Sequence, residues 1–144
     1  MMSKSEKKKI LFVCYANMIR SQMAEGFARD MGSAFLDVYS AGVHPTGVVG
    51  PEAIDVMKEK GIDISRQTSK RIGDVPIMEM DYVINMSGYP IHMVCPPGYE
   101  GTAIDWQIDD PVGKSVDYYR GARDAIEERV KKFVKTLWKG SPAK

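Results

Sequence analysis

Cysteine is scarce in this chain, with two residues in 144, at positions 14 and 95. A pair so far apart builds no disulfide framework and predicts a reducing, cytoplasmic setting. Histidine is equally sparse: His44 and His92 stand far apart and neither belongs to a Cys/His ligand cluster, so no metal site is expected. Charge of one sign is not in excess, the formal net charge being +1, which argues against nucleic acid or a membrane surface as a partner. Long apolar runs are missing too. After the basic leader only four purely apolar residues, at 10–13, precede Cys14, so neither a signal peptide nor a membrane span is predicted. Around Gly113, Lys114 and Ser115 no glycine stands five residues upstream and no buried strand leads in, which excludes a nucleotide-binding P-loop. Internal repeats and long linkers are also absent. The length suits one domain, expected at 9–139 between a disordered basic leader at 1–8 and a tail at 140–144.

What is present centres on residues 10–21. Ile10, Leu11, Phe12 and Val13 form a β-branched and aromatic run with no polar break, which predicts a strand buried on both faces. Beyond Ser21, Met23, Ala24, Phe27 and Ala28 fall on one helical face. The turn between strand and helix then spans Cys14 to Arg20. Its consecutive backbone N–H groups, at Tyr15, Ala16, Asn17, Met18, Ile19 and Arg20, join the first turn of the helix in a site for an anion with three or four oxygens. Cys14 is expected at the floor of that site, where a helix N-terminus and a guanidinium favour the nucleophilic thiolate. Arg20 supplies a planar fork matched to two oxygens of a phosphate-like group. The Ser21 hydroxyl can hydrogen-bond the thiolate and help the sulfur leave later, and Asn17, a residue that tolerates left-handed torsions, can hold the loop in shape. A cysteine at a strand end is by default a small buried hydrophobe. The joint occurrence of strand, Cys14, five residues, Arg20, Ser21 and helix favours the nucleophile, because each part has a separate task in anion chemistry.

Downstream, residues 35–41 predict a second strand, and Pro51 opens a helix to about Lys60, with Ala53, Ile54, Met57 and secondarily Val56 inward and Gly61 as its stop. Residues 81–86 predict a third strand, 87–101 a Pro- and Gly-rich loop, and 102–106 a last strand. Between Tyr118 and Trp138, Ala122, Ile126, Val130, Phe133, Val134 and Leu137 recur three or four apart, an amphipathic helix. Alternation of strand and helix predicts a three-layer α/β sandwich, a central parallel sheet of about four strands with helices on both faces. In such sheets sites form beyond the carboxyl ends of the strands, where Cys14 falls.

The pattern Cys14, five residues, Arg20, Ser21, with Asn17 inside it, resembles the phosphate-binding loop of the low-molecular-weight protein tyrosine phosphatases and of their relatives, the thioredoxin-coupled arsenate reductases. Residues 23–26, 39–42, 61–65 and 109–111 resemble the reductase branch, so the likeness covers about 9–138. It implies that Asp110, before Pro111, is the acid that protonates a leaving oxygen and later activates water, a task any thiolate attack on a phosphate ester requires. Asp109 is expected to be a solvated neighbour. The resemblance also implies a second redox cysteine after the third strand, where this chain has Ser87, and a third that Cys95 matches. A serine takes no part in thiol–disulfide exchange, so either Cys95 attacks Cys14 directly or an external thiol, thioredoxin or a small one, completes a reductase cycle. Aromatic residues that family phosphatases carry after the Asp-Pro pair are replaced here by Val112 and Gly113, leaving Tyr15, Tyr89 and Tyr99 as candidate walls. Some such reductases hold potassium through four side chains. Asn17, Glu25 and Ser40 match three of them, and Lys70 stands near the fourth, where its ammonium would replace the monovalent cation. No other cofactor is implied. The readings are, in order, a phosphomonoester hydrolase working through a phosphocysteine on Cys14, an arsenate reductase on the same loop using Cys95 or an external thiol, and an idle module that senses oxyanions. The partner is accordingly a phosphorylated substrate or arsenate.

Overall fold

Strand β1 (Lys8–Cys14) lies inside a four-stranded, all-parallel sheet of order β2-β1-β3-β4, with β2 at Leu36–Gly42, β3 at Tyr82–Asn85 and β4 at Thr102–Asp105. Ile10, Leu11, Phe12 and Val13 are fully buried, as an unbroken apolar run in a parallel sheet requires. The computed structural model of the chain describes residues 7–138. Of the expected leader and tail, 1–6 and 140–144 lie outside the described residues, and Lys8, expected in the leader, already begins β1.

The pleat of β1 divides the interior in two. Ile10, Phe12 and Cys14 face the larger core, built with α1 (Arg20–Gly32), α2 (Pro51–Lys58) and α4 (Val116–Leu137). Leu11 and Val13 face a smaller core with Ala41, Val75, Ile77, Met80, Val83, Val94 and Cys95. The cover on this second face is slight: two 3-10 turns, Ile72–Asp74 and Ile77–Glu79, and a single helical turn, α3 (Ile91–Val94), inside the stretch 87–101 that the Pro and Gly content marks as loop. Pro90 starts that turn and Pro96 follows its end, so proline bounds a helix here rather than preventing one.

Two further expectations are corrected. In α2, Val56 is fully buried whereas Ile54 is only partly so, and the helix stops at Lys58 because Gly61, at φ +77°, turns the chain out of it. In α4, Phe133 is half-buried; its ring packs edge-on against Tyr82 and Trp106 at 5.1 and 6.2 Å, closing the sheet's β3–β4 side.

Candidate active site

Between β1 and α1 the chain turns its carbonyls outward. Val43 N–H donates to the Cys14 carbonyl (3.1 Å), His44 to Tyr15 (2.7 Å), Thr46 to Ala16 (3.1 Å) and Gly50 to Met18 (2.9 Å), while Gln22 Nε2 donates to the Asn17 carbonyl (2.9 Å). Among the described residues, no backbone N–H at 15–20 donates to a protein acceptor. With the carbonyls held outside, these N–H groups line the inside of the loop, the arrangement an anion needs. Gly42 makes the close approach of β2 feasible: a Cβ there would stand 2.7 Å from Asn17 N and 2.9 Å from the Ala16 carbonyl carbon.

Asn17 adopts φ +47°, the left-handed region that Asn tolerates better than most residues, and is wholly buried. Its Oδ1 accepts the Lys70 N–H (2.8 Å), and its Nδ2 donates to Ser21 Oγ (2.7 Å) and Ser40 Oγ (3.0 Å). Ser21 Oγ in turn lies 3.0 Å from Cys14 Sγ. Cys14 is almost completely covered and lines a cavity of about 210 Å³ together with Arg20 and Asp110, with Tyr15, Met18, Ile19, Thr46 and Val112 as walls.

Arg20 is locked from behind. Its Nη1 donates to the carbonyls of Met86 (2.7 Å) and Ile108 (3.1 Å), one just past β3 and one just past β4. The Nε and Nη2 edge remains as a two-pronged donor, and Nη2 also contacts Asp110 Oδ2 at 3.4 Å. The other Asp110 oxygen accepts the Val112 N–H at 3.2 Å, which orients the carboxylate. Asp109 is exposed and lines a neighbouring cavity of about 420 Å³ that contains no cysteine.

The three tyrosine candidates divide. Tyr15 is exposed at the mouth, its ring 5.2 Å from His44 and 6.1 Å from Tyr89, so these three rings form one rim. Tyr99 is not part of it. Its hydroxyl donates to the Met80 carbonyl (3.0 Å), and burial, reinforced by Cys95 and Asp81, pushes its phenol up to about 12. Ser87 Oγ donates to Asn85 Oδ1 (2.6 Å) and accepts the Tyr89 N–H (3.0 Å). Cys95 is buried in the smaller core, which pushes its thiol above the ordinary range.

Beside Asn17, Glu25 and Ser40 the direct ion pair is made by Arg29, while Lys70 feels Glu25 without contacting it. Lys70 directs its ammonium to the Thr68 carbonyl and hydroxyl, and burial lowers its pKa against the opposing pull of Glu25. Glu25, itself buried, is met by Arg29 at 2.8 Å and by the Ser40 hydroxyl at 2.6 Å. Arg29 was hidden in the sequence among ordinary solvent-facing helix charges; only its four-residue offset from Glu25 hints at the pair. Gln22 was equally silent. Fully buried, it clamps the loop through the Asn17 carbonyl and the 67–68 segment. Among the described residues no group of three His, Cys, Asp or Glu side chains converges on a metal-sized site, and no helix is long and apolar enough to cross a membrane.

Comparison with known proteins agrees with this architecture. The chain is 41% identical over 129 residues to a glutaredoxin arsenate reductase of Synechocystis sp., covering 88% of this chain and 96% of that one. A solved arsenate reductase in its phosphate-binding state superposes with a TM-score of 0.81 at 40% identity, over 91% of this chain and 99% of the other. A YwlE arginine phosphatase variant with a phosphorylated active-site serine superposes equally well, TM-score 0.81, at 26% identity over 92% and 97% of the two chains. Residues 9–142 match the family described as low molecular weight phosphotyrosine protein phosphatase. The chain belongs to that family, and within it its arsenate reductase relatives share about four residues in ten with it.

Proposed function

We propose that this enzyme reduces arsenate, the Cys14 loop gripping the oxyanion while Cys14 attacks arsenic. The observation that carries this reading is the 41% identity to an arsenate reductase over nearly the full length of both chains, against 26% to the phosphatase structure above. Phosphomonoester hydrolysis, which the sequence alone ranks first, becomes the second reading. It is favoured by one feature of the site: the Asp110 carboxylate lines the same cavity as Cys14 and is oriented by Arg20.

Both reactions begin alike. Cys14 Sγ bonds to the central atom, and the N–H groups of 15–20 with the free edge of Arg20 receive the charge that develops on the oxygens. Asp110 gives a proton to the oxygen that departs. The Ser21 hydroxyl donates to the sulfur and stabilises it as a thiolate before attack and again when it leaves. The routes then part. Water displaces the sulfur of a phosphocysteine, whereas a second thiol attacks the sulfur of an arsenic adduct, and arsenic leaves reduced. Glu25 is already paired with Arg29, so exchanging sodium for potassium is expected to leave turnover unchanged; a clear rise in potassium would assign a monovalent cation a role after all.

The test is arsenite release and thiol oxidation with arsenate, run beside turnover of para-nitrophenyl phosphate. Arsenite release that Cys14→Ser abolishes is the expected result. Phosphate ester turnover without arsenite moves the enzyme to the second reading. Phosphate binding with turnover of neither substrate leaves an oxyanion-binding module.

A further inference from the structure

Reduction of arsenate consumes two electrons, and the two thiols of this chain lie on opposite sides of the sheet. Cys14 continues the Ile10 and Phe12 side of β1 toward α1 and α4, while Cys95 packs with Leu11 and Val13 on the other side. The central strand therefore stands between them. Cys95 is further restrained by its N–H, which closes α3 on the Ile91 carbonyl at 2.8 Å, and by neighbours such as Val94, Ile77 and Met80. Burial raises its thiol, so little of the reactive thiolate is present near neutrality. Ser87 offers no relay between them, since its hydroxyl takes no part in thiol exchange and is engaged with Asn85.

The approach to Cys14 from solvent has a different character. Its sulfur lies in the 210 Å³ cavity whose lining includes the exposed Tyr15 and Val112, whereas only 2% of Cys14 itself is exposed. A cysteine carried on the face of a folded protein must bring its own surrounding surface past that rim before the sulfurs meet. A small molecule enters whole, and the largely apolar walls admit an uncharged thiol or the methylene next to a thiolate without stranding a polar partner.

Resting on the arsenate reading, we infer that the reductant at Cys14 is a low-molecular-weight thiol that enters this cavity and attacks the sulfur directly, leaving Cys95 outside the electron path. In the first step the Cys14 thiolate displaces one arsenate oxygen as water, forming a sulfur–arsenic(V) bond. The small thiolate then attacks Cys14 Sγ. A sulfur–sulfur bond forms, the sulfur–arsenic bond breaks, and its electron pair goes to arsenic, which leaves as arsenite. A second small thiol attacks the outer sulfur of the mixed disulfide, releasing the Cys14 thiolate and a small-molecule disulfide. Two thiols are oxidised for each arsenate reduced, and one water is formed.

Glutathione serves as the probe. Reduced enzyme, cleared of added small thiol and mixed with arsenate, should release no arsenite until glutathione is added, and then one arsenite per glutathione disulfide. With glutathione limiting, a mixed disulfide should be found on the peptide containing Cys14. Cys95→Ser and Cys95→Ala should both retain glutathione-driven turnover within about twofold of the parent. One equivalent of arsenite released without added thiol, with loss of both protein thiols, would assign the internal Cys14–Cys95 route and overturn the inference. So would loss of turnover in whichever Cys95 variant keeps the parent's melting temperature, or turnover driven by thioredoxin with its reductase but not by glutathione. Arsenite from none of these donors overturns the arsenate reading itself, and the inference with it.

Discussion

Ser21 Oγ accepts a hydrogen from Asn17 at 2.7 Å and lies 3.0 Å from Cys14 Sγ, which leaves its single proton free to point at the sulfur. That direction is imposed from far off. Glu25, gripped by Arg29, offers only acceptors, so Ser40 must donate to it; Ser40 then accepts from one Asn17 amide hydrogen, and the other goes to Ser21. The chain of donors ends at Cys14 Sγ, within reach of the Ser21 proton.

Removing that last donor should weaken the nucleophile without removing it. Ser21→Ala is expected to slow alkylation of Cys14 by iodoacetamide at neutral pH and to lower turnover by about 10-fold to 100-fold, the loss of one charge-assisted hydrogen bond of about 1.5–3 kcal/mol. Alkylation at the parent rate would show that the serine does not donate to the sulfur.

Gly42→Ala tests the shape of the loop rather than its chemistry. The added methyl meets backbone atoms of Ala16 and Asn17, which cannot swing aside as a side-chain end would. A cost of about 1–3 kcal/mol is expected, as for other overpacked sites, with weaker inhibition by inorganic phosphate. A melting temperature and phosphate affinity equal to the parent's would mean that β2 does not brace the loop.

For Asp110→Asn, the hydrogen-bonded shape of the side chain is kept and the transferable proton is lost. Turnover of para-nitrophenyl phosphate should fall by about 10²-fold or more, the usual worth of a general acid, while phosphate still binds. Undiminished turnover would remove Asp110 from the chemistry.

Far from the site, Glu59 sets an acid limit on stability. Hydrogen bonds from Arg120 and then Arg123 lower its carboxyl from the ordinary 4.5 to about 2. A folded value below the unfolded one means that the stabilisation is complete above about 4.5 and drains away as the pH falls toward about 2. Glu59 is partly exposed, so the effect is modest, yet it ties α2 to α4, because Arg123 also donates to the Val56 carbonyl at 2.9 Å. Urea titrations at several pH values should show a shallower acid decline for Glu59→Gln than for the parent; parallel curves would mean the pair contributes nothing in solution.

Resemblance to relatives reordered the two readings of the chemistry. In the sequence, a serine at position 87 and an intact Cys14, Arg20 and Asp110 put hydrolysis ahead of reduction; similarity over the whole chain runs toward arsenate reductases. The loop itself does not discriminate, since its N–H groups and the Arg20 edge meet the oxygens of phosphate and arsenate in the same way.

From the sequence by itself came everything that depends on neighbours in the chain: the buried run at 10–13, the turn carrying Cys14 into α1, the left-handed Asn17, the stop at Gly61 and the apolar stripe of α4. These follow from strand and helix periods and from local torsions, which a few adjacent residues decide. Only the tertiary structure brought Ile108 and Asp110 to Arg20 across some ninety positions, set Arg29 rather than Lys70 against Glu25, and put Cys95 behind the sheet from Cys14. Such pairings come from how separate segments pack, and packing is decided by the shape of the whole interior, in which no single stretch of residues carries the instruction.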